Sequence, residues 1–455
     1  MQVHAFIGPT AAHEAVRKVL PDCLIHPPAQ HGDFIRRNFT AADIVVLIDG
    51  LYHGNPPIRH KEILHTIEGG STVIGAASMG ALRAAELHGF GMVGVGQIFE
   101  DFRDGRIEAD DEVAVLHTEG PEWQVISEAL VNMRYVLERA RQASVVSPSE
   151  EARLLKVARS LHYPRRSWRA VEQACRGDEE LEEAVRRILH FEDGARQSLN
   201  LKYQDACAAL RYAQALAEPG RRAEISSPSD SWSVGWRTTY LRKWCLEFTG
   251  VRVNDRLVSW ASQFDYQRLF GHDQTQRWRR YVLSVMTGLP PDASLKDLED
   301  QALVTAAKEQ HLDAGSVPAG GTDYWLTGRE RRELSARQRM LAVFVRSSRP
   351  AADFGDEQLN RWLLPQGMNI SELVSSSLDV NEQVALTSFS KHIDHLKVSV
   401  LERHLNLLWN LGARADRWER DAAARDRGFA SADEAVEALR PFFLKDHNDR
   451  LRKGA

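Results

Sequence analysis

A serine lies where a predicted strand turns into a predicted helix. Ser78 follows the apolar residues 72–74 and the small residues 75–77, and a run of strong helix formers comes after it. Small neighbours let a substrate approach the hydroxyl closely, and the unpaired N–H groups of a helix N-terminus stabilise a developing negative charge. The backbone N–H groups of Met79 and Gly80 are therefore the predicted oxyanion donors. The pattern indicates a serine nucleophile in a hydrolase.

A serine hydroxyl attacks only when a base removes its proton, and Lys61 precedes Ser78 by seventeen residues. Burial of Lys61 against the apolar residues of its predicted helix would favour the neutral amine, which can accept that proton. The pair predicts a Ser-Lys hydrolase. The alternative is a tight packing turn at Ser78 and a solvated surface lysine at Lys61, and spacing alone favours this alternative.

The first 120 residues alternate short apolar runs with helical patterns, which predicts a mainly parallel sheet covered by helices. Thr10, Asp49 and Ser78 each follow a predicted strand, and Gly50 belongs to the same turn as Asp49. Ligands of such folds bind beyond the carboxyl ends of the strands, so we expect these residues to cluster at one edge. After about residue 120 the helical period dominates. The fold class is thus an α/β N-terminal domain followed by a largely α-helical C-terminal region.

The chain of 455 residues is too long for one typical core, so we expect several domains. The predicted division is an α/β domain over 1–140, a helical extension over 141–316 and a C-terminal helical domain over 322–455. Residues 218–231, 314–321 and 347–355 are rich in proline, glycine and serine, which predicts linkers there.

Composition excludes several classes of function. The formal net charge of −5 gives no support to nucleic-acid or membrane binding, and no apolar run approaches the roughly 20 residues of a membrane span. The start of the sequence lacks the pattern of a secretion signal. Four widely spaced cysteines predict neither a disulfide framework nor a zinc site, and they fit a reducing cytoplasm. We therefore expect a soluble cytoplasmic protein.

Other motifs are weaker. His60 and His65 are five residues apart, so they do not share a helix face as a metal-binding pair would, and no metal is predicted. The glycines at 89, 91 and 94 follow a predicted helix instead of a strand, which favours a helix end over a dinucleotide site. The acidic residues 110–112 favour a solvated loop, and the alternatives are a docking patch or a part of the site. The basic-aromatic segments 165–168 and 276–281 favour solvated helix faces with tryptophans in the core over single-strand binding, and a peptide-binding surface is the remaining alternative.

Seven ordered blocks resemble the TfuA family, over residues 3 to about 140. The longest is Gly-Ala-Ala-Ser-Met-Gly-Ala-Leu-Arg-Ala-Ala-Glu-Leu at residues 75–87, and the others are 6–10, 27–33, 48–50, 60–64, 90–96 and 110–114. The resemblance implies that the predicted 1–140 domain is the family core. It also maps the family's catalytic serine and lysine onto Ser78 and Lys61. The rest of the chain resembles no family that we can name.

The resemblance implies a partner of a YcaO enzyme, which activates a peptide amide with ATP so that sulfur replaces its oxygen. A TfuA-like protein would supply the sulfide by hydrolysing the C-terminal thiocarboxylate of a small ThiS-like sulfur carrier, and would help YcaO bind its precursor peptide. ATP and magnesium are expected at YcaO, and no cofactor is expected in this chain. Glu62 and Arg83 lie in the matching blocks and are further candidates for lining the site. Arg83 could attract the anionic thiocarboxylate.

Two alternatives to the hydrolase stay open at this point. The first is a non-catalytic scaffold that activates YcaO allosterically and recruits the precursor peptide, with Ser78 as a packing residue. The second is an amidase that acts on a small molecule.

Overall fold

A computed structural model describes residues 1–52, 54–120, 123–193, 195, 197–218, 238–309, 320–347, 364, 369–388, 392–412 and 415–454. The chain divides into two compact units, 1–238 and 239–455. The three predicted linkers lie largely outside the described residues.

A five-stranded parallel sheet forms the centre of the first unit. Its strands are β1 (Val3–Phe6), β2 (Leu24–His26), β3 (Ile44–Leu47), β4 (Thr72–Ala76) and β5 (Val93–Val95), in the order β2-β1-β3-β4-β5. Strand β3 is buried along its whole length, which is why its sequence is a continuous apolar run. All neighbouring strands in this sheet are parallel, so the predicted α/β class of the N-terminal region is confirmed.

Helices cover this sheet and extend the first unit. Their bounds are α1 (His13–Val19), α2 (Asp33–Arg37), α3 (His60–Glu68), α4 (Met79–Leu87), α5 (Gln97–Arg103), α6 (Leu130–Gln142), α7 (Pro148–Ser160), α8 (Trp168–Ala174), α9 (Glu179–Asp193) and α10 (Leu201–Ala217). A 3-10 turn follows α4 and ends at Gly91, whose φ of 98° suits glycine. Gly89 and Gly91 therefore form a helix end, as predicted, whereas Gly94 lies in β5.

Helix α10 ties the predicted helical extension to the sheet. Ala206, Ala209, Leu210 and Ala213 belong to the same buried cluster as the apolar residues of β1, β3 and β4. Small side chains at this spacing let a helix pack closely on a sheet. The first unit consequently runs through α10 to residue 238, well beyond the predicted boundary at residue 140.

The second unit is mostly helical, as predicted for the C-terminal region. A hairpin of β6 (Gly250–Val253) and β7 (Arg256–Ser259) is accompanied by helices α11 to α21. These are α11 (Thr239–Phe248), α12 (Trp260–Phe270), α13 (Gln274–Thr287), α14 (Leu295–Glu309), α15 (Gly328–Glu333), α16 (Ala336–Ser347), α17 (Ile370–Thr387), α18 (Val398–Leu408), α19 (Arg417–Arg425), α20 (Ala432–Leu439) and α21 (Phe443–Gly454). In the described part of the chain, no helix has the length and apolar character that crossing a membrane requires.

Candidate active site

The turn between β4 and α4 is tight and places Ser78 at the start of the helix. Ala77 has a φ of 65°, in the left-handed region that favours glycine. The N–H of Ser78 donates to the carbonyl of Ala76, two residues back, at 2.7 Å. Three-residue turns of this kind with positive φ are rare and strained. The packing around the turn therefore holds Ala77 in a conformation that an isolated chain would avoid, and this fixes the position of Ser78.

Gly80 is required because α4 starts against the backbone of β3. A Cβ atom on Gly80 would lie 1.7 Å from the carbonyl oxygen of Leu47. The N–H of Gly80 donates to the carbonyl of Ile48 at 3.1 Å. This N–H is therefore not available as an oxyanion donor, contrary to our expectation, because the close contact between helix and strand has already paired it.

Two polar groups at the turn have no hydrogen-bond partner among the residues that the structure describes. They are the Ser78 hydroxyl and the backbone N–H of Met79. Ser78 is 8% exposed and borders a cavity of about 660 Å³. The residues that line this cavity include Asp49, Gly50, Tyr52, Ser78, Asp110 and His117. Met79 lines the same cavity, so a ligand bound there would lie next to both residues.

Asp49 joins two strand ends at this edge of the sheet. Its Oδ2 accepts from the N–H groups of Gly8 and Thr10 at 2.9 and 3.0 Å, and its Oδ1 accepts from the Thr10 hydroxyl at 2.6 Å. Thr10 borders a smaller cavity of about 280 Å³. The structure therefore brings Thr10 and Asp49 into contact, and Asp49, Gly50 and Ser78 onto one cavity.

Comparison with known families shows that this site lies largely within a stretch that matches one family. The family model described as TfuA-like protein matches residues 49–167. This stretch is TfuA-like. No curated protein was found to match the chain. The assignment suggests a role in thioamidation with a YcaO enzyme. The TfuA-like stretch contains Asp49, Ser78 and Met79, whereas Thr10 and helix α10 lie outside it.

Lys61 does not line the cavity of the TfuA-like stretch that contains Ser78. It lies in the first turn of α3, where its Nζ donates to the hydroxyl of Thr238 at 2.8 Å. No hydrogen bond joins Lys61 to Ser78 in the described part of the chain. The structure therefore does not bring the predicted pair together as a hydrogen-bonded dyad.

Glu62 and Arg83 form structural hydrogen bonds within the first unit. The buried Glu62 carboxylate accepts from His31 Nδ1 at 2.5 Å and from the N–H of Gly32 at 2.7 Å. Burial raises the pKa of Glu62, although these hydrogen bonds oppose the rise. Arg83 donates to the carbonyl of Ile58 at 3.3 Å and to Glu86 at 2.6 Å. Neither residue lines the cavity with Ser78.

The three acidic residues at 110–112 divide between site and scaffold. Asp110 lines the cavity and accepts a hydrogen bond from the hydroxyl of Tyr52. Asp111 accepts from the fully buried Arg166 at 2.9 Å, and Glu112 accepts from Arg134 at 2.6 Å. Arg166, in the basic-aromatic segment 165–168, is thus a buried structural residue. Asp110 therefore fits the reading as part of the site, whereas the predicted solvated loop is wrong for Glu112, which is buried and ion-paired.

Sequence reasoning missed Lys202, a buried lysine on α10 that lines the smaller cavity. Only its place just after the helix-capping Asn200 is visible in the sequence, and that place carries no sign of burial. In the described ranges, no group of three or more His, Cys, Asp or Glu side chains is arranged to hold a metal ion.

Proposed function

We propose that this protein hydrolyses the C-terminal thiocarboxylate of a small ThiS-like sulfur-carrier protein and so supplies sulfide to a YcaO enzyme that thioamidates a peptide. The observation that carries the proposal is the Ser78 hydroxyl on a cavity of about 660 Å³, where it has no hydrogen-bond partner among the described residues. The N–H of Met79 at the start of α4 lies next to it and likewise has no partner among those residues. A nucleophile next to a free donor is what acyl transfer requires.

The reaction proceeds through an acyl-serine. Ser78 Oγ attacks the thiocarboxylate carbon, a C–O bond forms, and the hydroxyl proton passes to a base. The N–H of Met79 stabilises the oxyanion of the tetrahedral intermediate. The C–S bond then breaks, and sulfur leaves as hydrosulfide after it receives a proton. Water hydrolyses the acyl-serine, so that thiocarboxylate and water yield carboxylate and hydrogen sulfide overall.

Cavity size and charge support a protein terminus as the substrate. A cavity of about 660 Å³ accepts a few extended residues and excludes a folded domain. The positive end of α4 attracts an anion. The nearby Asp49 carboxylate would repel one, but three donors already bind its oxygens. Those hydrogen bonds reduce its negative field at Ser78.

The test is sulfide release from purified thiocarboxylated carrier without YcaO. We expect the intact protein to release sulfide and to convert the carrier terminus to a carboxylate, seen by mass spectrometry. Ser78→Ala should lower the rate by about 10³-fold or more, because the nucleophile is lost. Ser160→Ala, an exposed serine at the end of α7, is the matched control and should keep the full rate.

Two outcomes would contradict the proposal. Release of sulfide by Ser78→Ala at the rate of the intact protein would exclude the acyl-serine mechanism. The absence of sulfide release, together with stimulation of YcaO when free sulfide is supplied, would favour a scaffold that activates YcaO and recruits its precursor peptide.

A further inference from the structure

Lys202 is buried, and no carboxylate among the described residues lies within ion-pair distance of its amine. It is the second residue of α10 and is 4% exposed. Its Nζ donates to the carbonyl of Val113 at 2.9 Å, and in the described part of the chain it forms no ion pair and no second hydrogen bond. An ammonium group has three N–H donors, so two of them have no partner there. Such an arrangement favours the neutral amine.

Burial and the nearby carboxylates have opposite effects on the pKa of Lys202, and the effect of burial is the larger. Burial lowers the pKa of Lys202, while the charges of Asp49 and Glu128 oppose that decrease. The N-terminus of α10, where Lys202 lies, carries a partial positive charge that disfavours an ammonium group. A lowered pKa increases the fraction of the neutral amine, and the neutral amine can accept a proton.

Lys202 lies next to the Ser78 cavity. The smaller cavity of about 280 Å³ is lined by Thr10, Glu128, Asn132, Asn200 and Lys202, and it shares Pro9 and Val115 with the larger cavity. Val113, whose carbonyl binds Lys202, also lines the larger cavity. The Thr10–Asp49 hydrogen bond connects a residue of one cavity with a residue of the other. The two cavities are therefore adjacent, with the amine on one side and the hydroxyl on the other.

We infer that Lys202 is the residue that controls proton transfer at Ser78, acting through solvent in the two adjacent cavities. This inference rests on the proposed function. The neutral amine receives the proton of Ser78 as the C–O bond forms, and the resulting ammonium returns it to the sulfur as the C–S bond breaks. In the second half, the amine takes a proton from the attacking water and gives it to Ser78 Oγ as the acyl bond breaks. The Lys202 amine is therefore neutral again at the end of the reaction.

The test uses the pH profile of sulfide release from thiocarboxylated carrier. Lys202→Met replaces the lysine with an apolar side chain of similar length, and we expect this variant to release sulfide about 10²–10⁴-fold more slowly. Lys202→Arg should fail as well, because a guanidinium does not lose its proton. A lysine that merely balances charge would be replaced by arginine without loss. Lys156→Met, an exposed lysine on α7, is the control and should keep the rate and the profile.

A second measurement reports the amine directly. In ¹⁵N NMR of the lysine side chains, the Lys202 Nζ signal is assigned by its absence in Lys202→Met. We expect this amine to lose its proton well below the ordinary lysine pKa of about 10.4. An amine that stays protonated up to that pH, or a Lys202→Arg variant with full activity, would overturn the inference.

The failure of this inference and that of the proposed function give different results. If Ser78→Ala abolishes sulfide release and Lys202→Met does not, the hydrolase stands and the role of Lys202 falls. If the intact protein releases no sulfide, the proposed function falls, and the role of Lys202 in it falls too.

Discussion

The carboxylate of Asp205 should make the stability of the first unit depend on pH. Asp205 lies on α10, one turn beyond Lys202, and caps the start of α5. Its Oδ1 accepts from the N–H of Gln97 at 3.0 Å and its Oδ2 from the N–H of Ile98 at 2.8 Å. Burial raises the pKa of Asp205 from 3.8 to about 6, against the opposing effect of these two hydrogen bonds. The same side chain therefore anchors α10 and titrates in an accessible range.

The sign and size of this pH dependence follow from the difference in the pKa of Asp205 between the folded and unfolded states. The folded state binds the Asp205 proton more tightly than the unfolded state, since its folded pKa is higher. The resulting stabilisation is complete below pH 3.8 and is lost as the pH rises through about 6. A pKa difference of about 2 units corresponds to about 3 kcal/mol, at 1.36 kcal/mol per unit. For a unit of this size that is a change of about 6–12 °C in Tm.

The perturbation is Asp205→Asn, which removes the titration and leaves one oxygen as an acceptor. Calorimetric melting of the full chain would be followed from below pH 4 to above pH 6, and the variant's free energy of unfolding subtracted from that of the intact protein. Effects of other carboxylates cancel in this difference. We expect it to fall by about 3 kcal/mol as the pH rises through this range.

Asp104→Asn is a control of opposite sign. Asp104 lies just after α5, where the Arg103 guanidinium holds its carboxyl pKa below the usual range. Its contribution to stability should therefore increase with pH. A difference for Asp205→Asn that is constant with pH, or that increases like that of Asp104→Asn, would refute the reasoning.

Two further substitutions test packing and buried charge. Gly80→Ala would place a Cβ atom 1.7 Å from the Leu47 oxygen, and we expect a loss of at least about 1–3 kcal/mol in unfolding free energy. Gly89→Ala, with nothing within 4 Å, is its near-neutral control. Arg346→Met in the second unit removes a guanidinium that pairs with Glu330 and Asp426 at 2.6 and 2.7 Å, and should cost about 3–5 kcal/mol. Arg329→Met, an exposed arginine, should change stability by less than about 0.5 kcal/mol. Thermal unfolding would compare each variant with its control, Gly80→Ala with Gly89→Ala and Arg346→Met with Arg329→Met. Equal Tm values for a variant and its control would contradict the corresponding prediction.

The parts of the site that depend on residues close together in the sequence were predictable. An apolar run, small residues, a serine and helix formers specify a strand, a turn and a helix, and the structure has this order at Ser78. The cluster of Thr10 and Asp49 was also predictable, because parallel strands end at the same edge of a sheet. Patterns of this kind act within a few residues or follow from topology alone.

The sequence suggested a free N–H on Gly80, but this N–H donates to the carbonyl of Ile48, the residue directly after β3. The sequence drew attention to Lys61 because it precedes Ser78 closely in the chain. The lysine that lies beside the site instead contacts Val113 across 89 residues.

The sequence by itself determined the parallel sheet, the serine turn and the helical character of the C-terminal region. The tertiary structure decided which buried lysine lines the cavity next to that of Ser78, which N–H has no partner among the described residues, and how far the first unit extends. The physical reason is that strand and helix patterns are local. Burial and the pairing of polar groups, in contrast, depend on every element packed around them, and α10 reaches the sheet from more than 100 residues along the chain from β5.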